Sequence, residues 1–155
     1  MKPVKKILAP TDFSERSLSG VRYALNLARE IGAEVTAYYV VCPDEFIRYE
    51  LEHVRPLLLQ KTLAHSRARL AEFLAAHFGL SNLEQEVELG TPEERIVDKA
   101  AREKFDLIVI STHGRTGLAH VLMGSVTEAI IRRAPCPVIS IRPEAEAKPL
   151  GENPR

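Results

Sequence analysis

Short apolar segments of strand length recur along the chain, and most of them are nearly continuous in apolar residues. Four of them lie at residues 7–9, 35–41, 107–110 and 138–141. Continuous apolar segments are typical of strands that are buried on both faces, as in a parallel sheet. A fifth segment, residues 83–89, instead alternates, with Leu83, Gln85, Val87 and Leu89 on one face and glutamates on the other. We therefore expect mostly buried strands and, at residues 83–89, a strand at an edge of the sheet.

The glutamates of the alternating segment, Glu84, Glu86 and Glu88, fall on one face of the predicted strand. A row of carboxylates on a strand can hold a cation. It can also serve as a solvated face that prevents aggregation through the sheet edge. The solvated face is the favoured interpretation.

Helical periodicity fills the intervals between the predicted strands, at residues 15–31, 56–78, 93–104 and 121–133. Thr91 with Pro92 and Glu94 predicts a capped helix start, and Gly32 and Gly79 predict helix ends. The order of elements is therefore βαβαβαβαβ, which predicts right-handed crossovers. We expect a Rossmann-like α/β domain, with a doubly wound, five-stranded parallel sheet covered by helices on both faces.

The segments outside these elements predict the ends and edges of the domain. Residues 43–55 are charged and lack periodicity, which favours a mobile loop or lid, and residues 143–155 predict a flexible tail. Pro135 and Pro137 come just before the last predicted strand, and proline is best tolerated at a sheet edge. The last strand is therefore expected at the second edge, where it could pair with a second copy of the chain.

Composition limits the classes of function. The 155 residues suit one domain, and 45% hydrophobic with 27% charged residues predicts a folded chain with a sizeable core. Lys plus Arg total 21 and Asp plus Glu total 21, so no overall positive field exists to bind nucleic acid or an anionic membrane. The first apolar segment is too short for a signal peptide or a membrane span, so the expected location is the cytoplasm.

The two cysteines, Cys42 and Cys136, are far apart in sequence and belong to no CxxC or Cys/His pattern. A metal or redox site therefore has little support. Both are interpreted as buried thiols rather than as a disulfide, because no feature of the sequence indicates secretion.

Two predicted loops hold most of the polar residues that could bind a ligand. In an open parallel sheet, ligands bind beyond the carboxyl ends of the strands. The loop after the first strand holds Asp12, and the loop after the fourth strand holds Gly114, Gly117 and Gly124, out of 8 glycines in the chain. Such glycines allow either tight turns or a close approach of main-chain N–H groups to an anion.

Gly124 and Ser125 precede a predicted helix, whose unpaired N–H groups and dipole favour a phosphate. Ser125 and Thr127 would add hydroxyl donors, and Arg115 would add a positive charge. Alternatively, Ser125 and Glu128 form a capping box and Arg115 is only solvated. The spacing alone favours neither interpretation.

Asp12 also has two interpretations. It could cap the first helix, with Glu15 three residues on, or it could bind ribose hydroxyls or an adenine amino group. With Gly124, the second interpretation predicts a nucleoside at Asp12 and phosphates at Gly124. The phosphate signatures GxxxxGK[ST] and GxGxxG are missing. His113 is interpreted as a loop-packing or backbone-bonding residue rather than as a general base, because no carboxylate partner is evident in sequence.

Several sequence segments occur together in this chain: ILAPTDFS at residues 7–14, GTP at residues 90–92, the stretch at residues 106–125, and APCPV at residues 134–138. In this combination the chain resembles the universal stress protein family over residues 5–142. The resemblance implies a single domain at residues 1–142 with a five-stranded parallel sheet, and dimerisation through the last strand. The family divides into a branch that binds ATP and a branch that does not.

The ATP-binding branch of that family is marked by the motif G-x-x-G-x(9)-G-[ST]. The matching positions here are Ser111, Gly114, Gly124 and Ser125, so Ser111 departs from the motif and adds a hydroxyl beside the expected ligand. The resemblance implies that Asp12 and the Val40 backbone hold adenosine, while the loop around Gly124 surrounds phosphates accompanied by Mg²⁺. Together with the loop residues, this gives the predicted binding residues Pro10, Thr11, Asp12, Val40, Ile110, Ser111, His113, Gly114, Arg115, Gly124, Ser125, Val126 and Thr127.

Three functions are compatible with these residues. The favoured one is a homodimeric ATP-binding module that acts in the stress response. The second is a slow ATP hydrolase, although the chain lacks a recognisable nucleophile, base or metal-carboxylate cluster. The third is a dimeric interaction protein that needs no nucleotide, in which the glycines only shape a turn.

Overall fold

The computed structural model describes residues 2–42, 55–79, 83–113 and 123–143. Within these ranges strands and helices alternate along the chain. In order they are β1 (Lys6–Pro10), α1 (Glu15–Ile31), β2 (Glu34–Val41), α2 (Arg55–Phe78), β3 (Glu84–Leu89), α3 (Pro92–Arg102), β4 (Leu107–Ser111), α4 (Ser125–Arg133) and β5 (Val138–Ile141). The predicted mobile loop at residues 43–55 lies outside the described residues, apart from Arg55 in α2. The predicted tail also lies outside them, apart from Pro143.

The strands form one parallel sheet in the order β3-β2-β1-β4-β5. Helices α1 and α2 contribute to the hydrophobic cluster on one face, and α3 and α4 contribute to the cluster on the other face. In β1, Ile7 and Ala9 belong to the first cluster and Leu8 to the second, because successive strand residues point to opposite faces. The prediction of a doubly wound α/β fold is confirmed.

Most of the predicted helix ends are confirmed. Gly32 and Gly79 follow α1 and α2 with φ of 69° and 62°, a left-handed conformation that glycine adopts without steric penalty. Helix α3 begins at Pro92 after Thr91, as expected, but the Thr91 side chain makes no capping hydrogen bond. The predicted capping box with Glu94 is therefore wrong, and Pro92 supplies the start signal because it needs no hydrogen-bond acceptor.

Helix α4 begins later than predicted, at Ser125 rather than at residue 121. Gly124 is extended, with φ of −69° and ψ of 150°, and its N–H donates to Thr112 O over 2.7 Å. This bond ties the residue before the helix to the end of β4. The tertiary contact, which apolar periodicity does not report, therefore sets the start of the helix.

Strand β3 lies at one edge of the sheet, as predicted, but its glutamates do not form a merely solvated face. Lys99 of α3 is fully buried, and its Nζ lies 2.6 Å from Glu86, 2.7 Å from Glu103 and 3.9 Å from Glu88. Burial lowers the pKa of Lys99, but its hydrogen bonds to Glu103 and Glu86 outweigh burial and raise that pKa above the ordinary value. The cation held by these carboxylates is the chain's own ammonium group.

Strand β5 lies at the second edge, as predicted from the prolines that precede it. The expectation of two buried thiols is wrong for Cys42, which is exposed because it follows the last residue of β2 at the sheet rim. Cys136 is half-buried, and neither cysteine is in a disulfide. None of the helices in the described ranges combines the length and the apolar character needed to cross a bilayer.

Candidate functional site

A cavity of about 430 Å³ opens at the carboxyl ends of the strands, where β1 lies between β2 and β4. This is the place where neighbouring connections leave to opposite faces of the sheet. The structure brings most of the predicted binding residues together around it. They are Pro10, Thr11, Asp12, Val40, Ile110, Ser111, His113, Gly124, Ser125, Val126 and Thr127. Gly114 and Arg115 lie outside the described residues.

Asp12 sits in the turn between β1 and α1, and it does not cap the helix. The cap is Ser14, whose side chain accepts a hydrogen bond from Ser17 N over 3.1 Å. Asp12 Oδ1 in turn accepts hydrogen bonds from the backbone N–H and the hydroxyl of Ser14. The interpretation of Asp12 as the cap is therefore wrong. The same bonds hold its carboxylate at the cavity wall.

Phe13 makes the turn after Asp12 with a φ of 65°, a conformation that is uncommon for a bulky residue. Its ring packs against Tyr39 at a centroid distance of 4.2 Å and against Phe73 at 5.5 Å. The Arg69 guanidinium lies 4.3 Å from the same ring. Packing from β2 and α2 thus holds a turn that the backbone alone would disfavour.

The first turn of α4 forms another part of the cavity wall. Gly124 is the residue before the helix and carries no capping side chain, and the Glu128 carboxylate pairs with Arg132 at 2.8 Å. The predicted capping box of Ser125 and Glu128 is therefore wrong. The backbone N–H groups of Ser125 and Val126 have no acceptor among the described residues, as expected for the start of a helix. They remain available to an anion.

Hydrogen bonds fix the end of β4 against α4. The hydroxyl of Thr127 donates to Ser111 O over 2.9 Å, so it is not the phosphate donor that the sequence suggested. The Ser111 hydroxyl donates to His113 O over 3.0 Å. His113 Nδ1 lies 2.8 Å from the Thr112 hydroxyl, which agrees with a role in loop packing. The hydroxyls of Thr127 and Ser111 thus both bond backbone carbonyls at the end of β4 and in the loop that follows it.

The remaining wall of the cavity is mostly apolar and includes residues that sequence analysis missed. Beside Val40 and Ile110, the cavity is lined by Tyr38, Pro92 and Ile96. A strand places residues two apart on one face, and a helix does the same for residues four apart. Tyr38 could therefore have been inferred from Val40. Pro92 and Ile96 could not, because the sequence does not say that α3 packs beside β2.

Tyr38 is fully buried beneath this wall, with its ring 5.1 Å from Lys99 Nζ. Its hydroxyl has no hydrogen-bond partner in the described part of the chain. Burial, reinforced by the negative charge of Glu88, raises the pKa of Tyr38. The phenol is therefore neutral at physiological pH, and the wall carries no charge from this residue.

Comparisons with known proteins agree with this architecture. The model of the universal stress protein family matches residues 3–142. A universal stress protein of Methanocaldococcus jannaschii is 38% identical over 140 residues, which cover 89% of this chain and 82% of the relative. The solved structure of universal stress protein UspA from Lactobacillus plantarum is 31% identical and superposes with a TM-score of 0.73, covering 92% of this chain and 100% of the other.

A third similarity is more distant. The crystal structure of a universal stress protein in complex with cAMP is 22% identical, with a TM-score of 0.60, and the match covers 92% of this chain and 99% of that one. At this level of identity the likeness shows the fold alone. The family model extends from before β1 to the residue after β5, so it includes both loops that line the cavity. This chain belongs to the universal stress protein family.

Proposed function

We propose that this protein is an ATP-binding module of its family, and that it binds ATP together with Mg²⁺. The observation that carries the proposal is that Asp12 and the first turn of α4 line one cavity at the switch point of the sheet. A carboxylate there can accept hydrogen bonds from a sugar or a base. The start of a helix there can receive phosphates. A nucleotide is the ligand that needs both.

Each part of the cavity wall suits one part of ATP. Val40, Ile96 and Ile110 line the cavity with apolar side chains that suit a planar base. Asp12 would accept hydrogen bonds from the ribose hydroxyls. The N–H groups of Ser125 and Val126, with the helix dipole, would bind phosphate oxygens.

Magnesium would be bound mainly by the phosphates of ATP rather than by a set of protein ligands. Asp12 is the only carboxylate among the described residues that line the cavity. Mg²⁺ bound to phosphates keeps several waters and needs few protein ligands. The phosphates and waters would therefore hold it, the ion would neutralise phosphate charge, and Asp12 would stay with the ribose hydroxyls.

Ser111 departs from the family motif without obstructing the proposed site. Its hydroxyl donates to His113 O, and its side chain is almost fully buried, with 4% of the residue exposed. A hydroxyl engaged in its own loop leaves the phosphate side of the cavity to the backbone of α4. The departure from glycine is therefore compatible with ATP binding.

Binding without rapid hydrolysis is the activity that the residues favour. Among the described residues that line the cavity, His113 is bonded to Thr112, and Asp12 is bonded to Ser14. Both groups are held within their own loops, which suits ligand binding better than the nucleophile and base pair that hydrolytic catalysis ordinarily requires. The proposed role is a nucleotide-dependent module of the stress response.

Calorimetry on nucleotide-stripped protein tests the proposal. We expect saturable binding of ATP with Mg²⁺, and we expect Asp12→Asn to weaken it about tenfold. The loss of one charged acceptor typically costs about 1.5 kcal/mol or more. Asparagine keeps an oxygen for the bonds to Ser14, so the turn should survive and melting should change little.

The outcomes of this titration are distinct. No heat with ATP at millimolar concentration would contradict the proposal and favour the nucleotide-independent interaction protein. Multiple turnovers of phosphate release, abolished in Asp12→Asn, would favour the hydrolase. Titrations with ADP, AMP and cAMP rank the ligands, and cAMP is included because a protein of the same fold was crystallised with it.

We further propose a homodimer formed through β5. Thr112 N donates to Ile141 O and Ile108 N donates to Pro137 O, so alternate residues of β5 form backbone hydrogen bonds with β4. In a parallel pair this leaves the N–H of Ser140 on the open edge. Ser140 is exposed, while Val138 and Ile141 are half-buried. Such an edge is suited to pairing with a second copy.

Ser140→Pro is expected to convert the dimer into a monomer in analytical ultracentrifugation, because proline removes the N–H that pairing across the edge would use. Ser140→Ala keeps this N–H and should stay dimeric. A wild-type protein that sediments as a monomer, or a proline variant that stays dimeric, would contradict pairing through β5.

The cytoplasm is the proposed location. Cys42 is exposed, and neither it nor Cys136 is in a disulfide. Thiols in this state are typical of a reducing compartment.

A further inference from the structure

Helix α1 crosses the end of β4 at Gly20, and the two backbones lie unusually close there. A Cβ added to Gly20 would lie 2.9 Å from Ser111 N and 3.2 Å from Ile110 C. Both neighbours are backbone atoms of a buried central strand, so they cannot move aside as a flexible side chain could. Even alanine at this position must push α1 and the end of β4 apart.

The backbone that Gly20 contacts also anchors α4. The carbonyl of Ser111 accepts the Thr127 hydroxyl at 2.9 Å. One residue further on, Thr112 O accepts the Gly124 N–H at 2.7 Å. The end of β4 therefore fixes the position of the first turn of α4, and a displacement of Ser111 is passed to that turn.

Helix α1, which contacts β4 at Gly20, is also bonded to the turn that holds Asp12. Ser14 caps α1 six residues before Gly20, and its N–H and hydroxyl donate hydrogen bonds to Asp12. The Ser17 hydroxyl donates to Ser14 O and lies 2.8 Å from the Thr11 hydroxyl. These bonds make the Asp12 turn and the first turns of α1 one rigid unit.

We propose that Gly20 is a positioning residue that sets the distance between the Asp12 turn and the start of α4. The inference rests on the proposed function, because it assumes that a ligand spans these two walls. The close contact at Gly20 keeps α1 near β4, so the carboxylate and the N–H groups of α4 lie within reach of a single nucleotide. A ligand that bridges Asp12 and the start of α4 depends on this distance, whereas adenosine, which lacks phosphates, does not reach the start of α4.

Gly20→Ala tests the inference by a ratio of affinities. We expect ATP with Mg²⁺ to bind about tenfold more weakly, the effect of losing one charge-assisted hydrogen bond. Adenosine should bind within about twofold of wild type, because it makes no contact with the start of α4. ATP is measured by calorimetry and adenosine by NMR titration. A purely structural defect would weaken both ligands equally or neither.

Leu74→Ala is the matched control for stability. Leu74 is 1% exposed in α2 and packs in the same cluster as α1, but it does not line the cavity. Its truncation leaves a void and lowers the melting temperature, while the ratio of ATP to adenosine affinity should stay at the wild-type value. An equal change of this ratio in Leu74→Ala and Gly20→Ala would overturn the inference.

A measurement on wild-type protein covers the case in which Gly20→Ala does not fold. Binding of ATP should shift the backbone amide signals of Gly20 and Ser111, whereas adenosine should shift signals near Asp12 without moving these two. If wild type binds ATP but both ligands shift the Gly20 signal alike, the inference about Gly20 is overturned and ATP binding stands. If wild type binds no ATP, both proposals are overturned.

Discussion

Gly124→Val is expected to lower the affinity for ATP by about a hundredfold, because blocking two charge-assisted hydrogen bonds removes roughly 3 kcal/mol. Gly124 lines the cavity directly before α4, so a branched side chain there occupies the space in front of the N–H groups of Ser125 and Val126. The fold should persist. The backbone of Gly124 is extended, and an added Cβ lies 3.4 Å from Thr112 O, which is an ordinary contact.

Calorimetry measures this loss, and thermal melting shows that the variant remains folded. Gly32→Ala is the matched control, because Gly32 ends α1 with φ of 69° and its added Cβ would meet nothing within 4 Å. That variant should lose about 1 kcal/mol of stability through its left-handed backbone and keep its affinity for ATP. Wild-type affinity in Gly124→Val would rule out phosphate binding at the start of α4.

Lys99→Met is expected to destabilise the fold by about 3 kcal/mol. Methionine fills much of the same volume but leaves Glu86, Glu88 and Glu103 without the ammonium that they surround. Removing one member of a buried ion pair costs about 3–5 kcal/mol. The lower end applies because the three carboxylates are each about a third exposed and keep part of their hydration.

The loss in Lys99→Met should depend on pH. Burial raises the pKa of Glu103, but hydrogen bonds to Lys99 and Arg102 outweigh it and bring that pKa below the ordinary 4.5. The stability from this pair is therefore present above pH 4.5 and is lost as the pH falls through the lower value of the folded state. The difference between wild type and Lys99→Met should be largest near neutral pH and should shrink on acidification.

Chemical denaturation at several pH values measures this difference. Arg132→Met is the matched control, since Arg132 and Glu128 form an ion pair with both side chains more than half exposed. Exposed pairs of this kind contribute little, so we expect a small change with no marked dependence on pH. A difference for Lys99→Met that stayed constant from neutral pH to well below pH 4.5 would show that Glu103 does not titrate against Lys99.

The strands and most helix ends could be predicted because each depends on local chemistry. Continuous apolar residues indicate a strand buried on both faces. The glycine at position 32 permits the left-handed turn that ends α1. The capping predictions failed at Asp12 and Ser125, because Ser14 and Gly124 take the cap positions instead. Several residues in each loop could serve as caps, and tertiary hydrogen bonds select among them.

The two loops of the candidate site could also be predicted, because parallel strands direct their carboxyl ends to one rim. The residues that line the cavity could not all be predicted. Pro92 and Ile96 reach it from α3. Their contribution depends on how α3 packs, and packing is a contact between segments far apart in sequence. The alternating glutamates of β3 had the same limitation, since their partner Lys99 lies on another element.

By itself the sequence determined the doubly wound sheet, its two edges and the rim at which Asp12 and Gly124 meet, because hydrophobic period and strand direction are properties of local segments. Only the tertiary structure decided how those residues are used. It engaged the Thr127 hydroxyl with the carbonyl of Ser111, surrounded Lys99 with carboxylates, and brought α1 against β4 at Gly20. Each of these depends on distances between elements, which are set when the close-packed core forms.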